Sequence, residues 1–327
     1  MVQNEIKLNS SRSWMQFIIV FLVGITIASG MFKVPVNMPN IMEFYGVPIS
    51  SAGLLMSVVG FTCIFTALPA GTIMQKIGAK KFGIIVIASA IIENVVGAAA
   101  PTFEVLLATR FLEGISYGCM SMVSVAIITA NFTSDKRGLP NGIWVIWVSL
   151  AQLVVAQLAN LVVPSFGWQG EWIAIGILQA IMLVFFVAFV KNPPMPEAKE
   201  EASSEKKQSI LEGLKEPAVW LISFSCLFLA VGCGCFTGLW PTYLQQGIGF
   251  DPATANNIIS LSTIGGIVGS LAVGWVINKT AVRNRGVLLA VVCGIAMACF
   301  AMQFRMPFNF ALVALFAAVY SGVTQFN

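Results

Sequence analysis

Ten apolar runs of about 20 residues or longer recur along the 327-residue chain, near 14–40, 50–74, 82–100, 103–130, 141–163, 172–190, 218–243, 253–277, 286–304 and 308–327. A run of that length crosses the roughly 30 Å hydrocarbon core of a bilayer as one helix rising about 1.5 Å per residue. With no water inside the bilayer, only helices or a closed barrel satisfy the backbone. Barrel strands are about half as long and alternate in polarity, whereas these runs are continuously apolar. The chain therefore reads as an all-α integral membrane protein. Hydrophobic residues at 57%, charged residues at 10% and a mean hydropathy of +0.87 exclude an ordinary soluble domain. The first run is followed by further spans and lacks a small-residue cleavage site, so it reads as a retained span and not a signal.

Orientation follows from the basic residues between runs. Alternate connections hold Lys7 and Arg12; Lys76, Lys80 and Lys81; Lys136 and Arg137; Lys191, Lys199, Lys206, Lys207 and Lys215; and Lys279, Arg283 and Arg285, which is 15 of the 18 Lys and Arg. The opposite connections hold only Arg305. The N-terminus is expected in the cytoplasm of a cell whose plasma membrane the chain crosses many times. The net charge of +4 is a topology signal, and no nucleic-acid partner is read from it. The seven cysteines all fall inside apolar runs and suggest packing rather than disulfides or a metal site.

Residues 192–216, with Pro193, Pro194, Pro196 and a mixed-charge run from Glu197 to Lys207, read as a solvated linker between six spans and four. Three units are expected: a six-helix bundle over 1–191, a cytoplasmic linker over 192–216, and a second, incomplete bundle over 217–327. A short basic stretch, Gly71 to Lys81, links the second and third spans, and Gly274, Asn278 and Lys279 restate it: Gly71 to Gly274 and Lys76 to Lys279 are both 203 residues. The same ungapped shift carries Ala52 onto Ala255, Ser57 onto Ser260, Ile64 onto Ile267, Leu68 onto Leu271 and Gly83 onto Gly286. On that period a full second half would extend about two helices past Asn327, so the chain reads as a fragment lacking an eleventh and a twelfth helix.

The Gly71–Lys81 stretch resembles the loop between the second and third helices of the major facilitator superfamily, with Gly71, Lys76, Gly78 and Lys80 in register. Gln75 stands where that family has an Asp, and Ala79 where it has the first basic residue of a closing pair, so a charge lock on that Asp is missing. Arg110-Phe-Leu-Glu113-Gly114-Ile-Ser-Tyr-Gly118 resembles the family's fourth-helix signature, whose arginine is implicated in substrate or proton handling. Asp135-Lys136-Arg137-Gly138 followed by Gly142-Ile-Trp-Val-Ile-Trp147, and Phe32-Lys33-Val-Pro35, are similar to the branch of bacterial cyanate and nitrate/nitrite permeases. The resemblance implies two parallel six-helix repeats that rock about a midplane site, with Gly71, Gln75, Lys76, Gly78 and Lys80 as the cytoplasmic gate.

Four charges lie deep inside the runs, Lys33, Glu93, Arg110 and Glu113, with Glu104 only at the start of its run. Such groups are costly in lipid and are functional candidates by default. Lys33, Glu93 and Arg110 each lie seven residues from the outer end of their span, roughly 10 Å deep at about 1.5 Å per residue. A Glu93–Arg110 ion pair, or Glu113 paired with Arg110 at i, i+3, is the structural reading of the acids. As the carboxyls that lie deep within the runs, Glu93 and Glu113 are the candidates for any proton coupling. Ser29, Lys33 and Asn37 form a polar stripe, and the 203-residue shift carries them onto Gly232, Phe236 and Trp240, so a cavity between the halves is expected to have a cationic and an aromatic wall. Gln157 in the fifth span falls near the same depth, whereas Trp144 and Trp147 read as belt and packing residues. The rival reading has Lys33 snorkelling outward and Trp240 in an interfacial belt.

The expected function is secondary active transport of a small anionic solute, with Lys33, Arg110, Asn37, Gln157, Phe236 and Trp240 as binding residues and a proton as candidate co-substrate. The partners expected are that solute and the lipid bilayer, with the chain a monomer. A drug/proton antiporter of the same superfamily is the alternative, although the fifth span lacks that group's Gly-Pro signature. A sensor sharing the fold without transporting is also open. The chain contains no His, and no metal-ligand cluster or protease-like pair sits in the runs, so neither an enzyme nor a cofactor is expected.

Overall fold

A computed structural model describes residues 8–191, 217–279, 285–303 and 309–324, and among these no strand occurs. The first half comprises α1 (Ser11–Tyr45), a single turn α2 (Ile49–Ala52), α3 (Leu54–Ile77), α4 (Ala79–Ala98), α5 (Phe103–Asn131), α6 (Gly138–Val145) and α7 (Trp147–Phe189). The second comprises α8 (Pro217–Thr242), a π-turn (Tyr243–Gly247), α9 (Pro252–Lys279), α10 (Arg285–Gln303) and α11 (Phe310–Thr324). The expected linker, 192–216, lies outside the described residues. The shift of 203 holds in the helices as well: α9 is helical through Lys279, the counterpart of Lys76 in the last turn of α3.

Gly138–Phe189 is apolar over 52 residues, about 78 Å if straight, more than twice the hydrocarbon thickness. Gly167, at φ 68° and ψ −178°, breaks it within α7; a side chain would strain that backbone. The two arms fold back along α1. Trp147 packs on Gly24, and the Lys191 N–H donates to Gln16 Oε1 at 3.0 Å, so both ends of α7 meet the beginning of α1. Trp168, beside the break, meets Phe44 and Tyr45 at the end of α1.

The same alternation places the other helix ends. Asn9 and Gln16 bond Asn131 at the end of α5, and Lys80 Nζ donates to Val187 O at 2.7 Å. Tyr45 Oη donates to Ala100 O at 2.7 Å at the far end. Arg12, Lys76, Lys80, Lys81, Lys136, Arg137 and Lys191 therefore share one end of the bundle, the basic end. At the far end of the second half, Asp251 accepts from Thr254 N and Oγ1 at 2.9 and 2.6 Å as α9 begins; these bonds hold its carboxyl below the usual range.

The Gly71–Lys81 stretch is tighter than the expected loop. α3 remains helical through Gly71, Gln75 and Lys76, and the turn is Gly78 alone, at φ 86° and ψ 151°. Gln75 and Lys76 are exposed, while Ala79, in place of a basic residue, is buried. The sixth span also begins earlier than its apolar run suggests: its helix resumes directly after Gly167, which draws Glu171 into the span.

Small residues let the helices touch. A Cβ on Gly114 of α5 would lie 2.6 Å from Thr62 Cβ and 2.9 Å from the Val59 carbonyl oxygen of α3. In the second half, Gly265 and Gly269 of α9 abut the backbone of Ala318 and Gly322 of α11. The apolar faces left outward, including Phe61, Ile64, Phe65 and Leu161, are those a lipid tail would cover. Because backbone cannot yield as a side chain can, Gly114→Ala is expected to cost about 1–3 kcal/mol by overpacking, read as a lower melting temperature in detergent.

Candidate functional site

α1, α4 and α5 bring the four predicted charges into one buried network. Lys33 Nζ lies 2.6 Å from Glu93 Oε1, 2.6 Å from Asn94 Oδ1 and 3.4 Å from Glu113 Oε2. Arg110 pairs with Glu113 one turn on, and its Nε donates to Leu55 O at 3.0 Å. Nη1 and Nη2 donate to Gly30 O and Met31 O, both at 3.4 Å. Pro35 explains the last bond: it has no N–H to return to the Met31 carbonyl, so the arginine takes the vacated acceptor. Gly30 lets the α1 backbone sit against Glu113, whose Oε1 would be 3.2 Å from an added Cβ.

Amides extend the network to α7. Asn94 Nδ2 donates to Gln179 Oε1 at 2.9 Å, and Gln179 Nε2 donates to Thr26 O at 3.1 Å. Asn37 Nδ2 donates to Lys33 O at 2.8 Å and to Glu171 Oε2. The Lys33 ammonium also stands 4.7 Å from the Trp172 ring centroid. Lys33, Glu93, Asn94, Arg110, Glu171 and Gln179 have no exposed surface. Of the two pairings expected for the acids, Glu113 with Arg110 at i, i+3 is present, whereas Glu93 pairs with Lys33 and not Arg110, and Lys33 does not snorkel. Glu171, Asn94 and Gln179 went unread. Glu171 fell one residue outside an apolar run, and a helical reading from Gly167 onward would have found it.

A cavity of about 310 Å³ lies between the halves. Phe32, Pro35 and Val36 of α1 and Val148, Ser149 and Gln152 of α7 face Phe236, Thr237 and Trp240 of α8, Ser262 and Thr263 of α9, and Tyr320 of α11. Phe236 stacks on Trp240 at 5.0 Å between centroids and meets Tyr320 at 4.6 Å, making a continuous aromatic wall. Of the predicted binding residues, Phe236 and Trp240 line this cavity; Lys33, Arg110 and Asn37 turn into the first bundle instead. No Asp, Glu, Lys or Arg is among the described lining residues. Trp144 and Trp147 are buried and stacked at 4.7 Å against Gly24.

Gln157 lies just beyond the cavity, toward the far end, in a neutral interlock of the halves. Its Nε2 donates to Ser260 Oγ at 2.7 Å and Asn257 Oδ1 at 3.3 Å. Asn256 Nδ2 donates to Asn160 Oδ1 at 2.7 Å, and Asn160 Nδ2 to Asn257 Oδ1 at 3.4 Å. Amide and hydroxyl groups thus join α7 to α9 on the far side of the cavity.

Comparison with known proteins agrees with this architecture. The family model described as Major Facilitator Superfamily matches residues 17–326. The chain belongs to the major facilitator superfamily. Within it, the chain is 24% identical over 260 residues to the membrane sensor protein UhpC of Escherichia coli (strain K12), covering 72% of this chain and 58% of that protein. It is 21% identical over 273 residues to the probable sulfoacetate transporter SauU of Cupriavidus necator (strain ATCC 17699 / DSM 428 / KCTC 22496 / NCIMB 10442 / H16 / Stanier 337), covering 79% and 63%. The matched stretches thus span less than two thirds of either relative. A bacterial homolog of the human lysosomal transporter Spinster, solved inward-facing and unoccupied, superposes with a TM-score of 0.77 at 15% identity over 97% of this chain and 74% of that one. The shared fold is that of a multi-pass membrane protein of this superfamily.

Breaking the network should be costlier than neutralising it. Lys33→Met strands Glu93 and is expected to destabilise by about 3–5 kcal/mol. Lys33→Met with Glu93→Gln removes both charges, so the pair should cost less than the sum of the two single changes in thermal unfolding.

Proposed function

We propose that the chain carries the solute-binding machinery of a secondary transporter, with a small organic solute held between two bundles that rock about it. The cavity between the halves carries this reading. Its volume lies in the range of small-molecule sites, and both bundles contribute walls. We place the basic end in the cytoplasm, with the chain monomeric in the cytoplasmic membrane and the bundles divided at 191 and 217. On that placement the amide interlock closes the outer side, and the Gly78 turn with Lys80 belongs to the inner gate. Glu93 and Glu113 remain candidates for proton coupling through their hold on Lys33 and Arg110.

Two solute classes compete. An anion is supported by the two intramembrane cations and by a relative named for sulfoacetate, yet it would have to displace Glu93 or Glu113 to reach them. A solute with an apolar face and hydrogen-bonding groups needs no such exchange: Phe236, Trp240 and Tyr320 offer a stacking wall, and Ser149, Gln152, Ser262 and Thr263 offer donors and acceptors. The geometry favours this second class, which also suits the drug-antiport alternative. Binding of matched neutral and anionic solutes to protein in lipid nanodiscs separates the two. On the cavity reading, Trp240→Ala weakens the preferred neutral solute about tenfold, or roughly 1.4 kcal/mol, and Lys33→Met/Glu93→Gln leaves it unchanged. Preference for the anion, lost in that balanced double variant, would establish the anionic reading instead.

A further inference from the structure

We propose that Glu171 is a proton-binding site of this chain, occupied by a proton in the conformation described here. The charges around it set the argument. Lys33 of α1 and Arg110 of α5 are balanced by Glu93 of α4 and Glu113 of α5, all four buried and joined by the ion pairs Glu93–Lys33, Lys33–Glu113 and Glu113–Arg110. α3 contributes the neutral Leu55 carbonyl to Arg110 and the Cys63 thiol, which donates to Gly114 O at 3.3 Å. Glu171 is a third carboxyl against two cations. It is buried, its Oε2 accepts from the Asn37 amide, and its Oε1 has no hydrogen-bond partner among the described residues. No described cation lies within ion-pair distance of it.

An ionised Glu171 would leave one uncompensated negative charge in the buried interior of the bundle, an arrangement costly enough that such groups neutralise instead. Taking up a proton from hydronium in bulk solvent, with water as the other product, forms an O–H bond at Oε1 and removes the excess charge from the bundle. Losing it would set Glu171 in competition with Glu93 for Lys33, whose backbone carbonyl is already tied to Asn37, the residue that holds Glu171. Glu171 also stands four residues past the Gly167 break. Protonation is thereby linked to the packing of α1 against the second arm of α7. The coupling of this proton to solute movement rests on the transporter reading; the proton site itself does not.

Infrared spectra of the purified full chain in lipid, recorded at neutral pH, test the site directly. The expected result is a protonated-carboxyl C=O band in the wild type that disappears in Glu171→Gln and persists in the charge-balanced Lys33→Met/Glu93→Gln variant, where the excess carboxyl remains. Glu171→Gln, which mimics the protonated acid, should melt near the wild-type temperature, while Glu93→Gln and Glu113→Gln, each of which removes a cation's partner, melt lower. Absence of the band in the wild type, its survival in Glu171→Gln, or failure of Glu171→Gln to fold would each overturn the proposal. In proteoliposomes, uptake that depends on pH in the wild type should become pH-independent in Glu171→Gln. Unchanged pH dependence there removes the coupling role of Glu171, whereas a band without uptake of any solute removes the transporter reading and leaves the proton site standing.

Discussion

Inside a bilayer a charge has no water to turn to, and the first bundle is organised by that constraint. Lys33, Glu93, Arg110 and Glu113 pair with one another across three helices, and the arginine also donates to carbonyls of α1 and α3. Removing water raises both the cost of an unpaired ion and the strength of a paired one. The network therefore specifies how α1, α4 and α5 meet more sharply than apolar contact could. Glycine and proline make it possible: Gly30 admits the Glu113 carboxyl against the α1 backbone, and Pro35 leaves the Met31 carbonyl for Arg110.

The boundary between the halves follows a different chemistry. Its polar groups are amides and hydroxyls, which bond without leaving an uncompensated charge when they part. On the proposed transporter reading, Gln157 and Asn160 meeting Asn256, Asn257 and Ser260 suit a surface that the two bundles would repeatedly join and release. Ion pairs sit inside one bundle, where partners need not separate, and neutral bonds sit between bundles. Beside them, the Phe236–Trp240–Tyr320 wall supplies apolar area without charge.

Particular residues mark the limit of reading along the chain. Lys33 was recognisable as an intramembrane cation, yet whether it faced the cavity or the bundle interior depended on the rotation of α1. Its neighbours Phe32 and Val36 line the cavity while Lys33 turns away. Glu171 was hidden because apolar-run counting starts a span where hydropathy rises, whereas helix geometry starts it where the backbone leaves Gly167. Gly71–Lys81 looked like a loop because it is polar, but helical hydrogen bonding continues through polar residues until Gly78 stops it.

The amino-acid sequence by itself determined the all-helical membrane class, the positions of the apolar spans, the 203-residue repeat and the common depth of Lys33, Glu93 and Arg110. These properties are one-dimensional, since length, composition and rise per residue fix them. Only the tertiary structure decided which cation holds which carboxylate, that the charges close upon themselves away from the cavity, and that Glu171 joins them. Those outcomes depend on how each helix is turned about its axis. Each residue advances about 100° around a helix, so side chains equally deep in the membrane can face in opposite directions, and packing against neighbouring helices chooses between them.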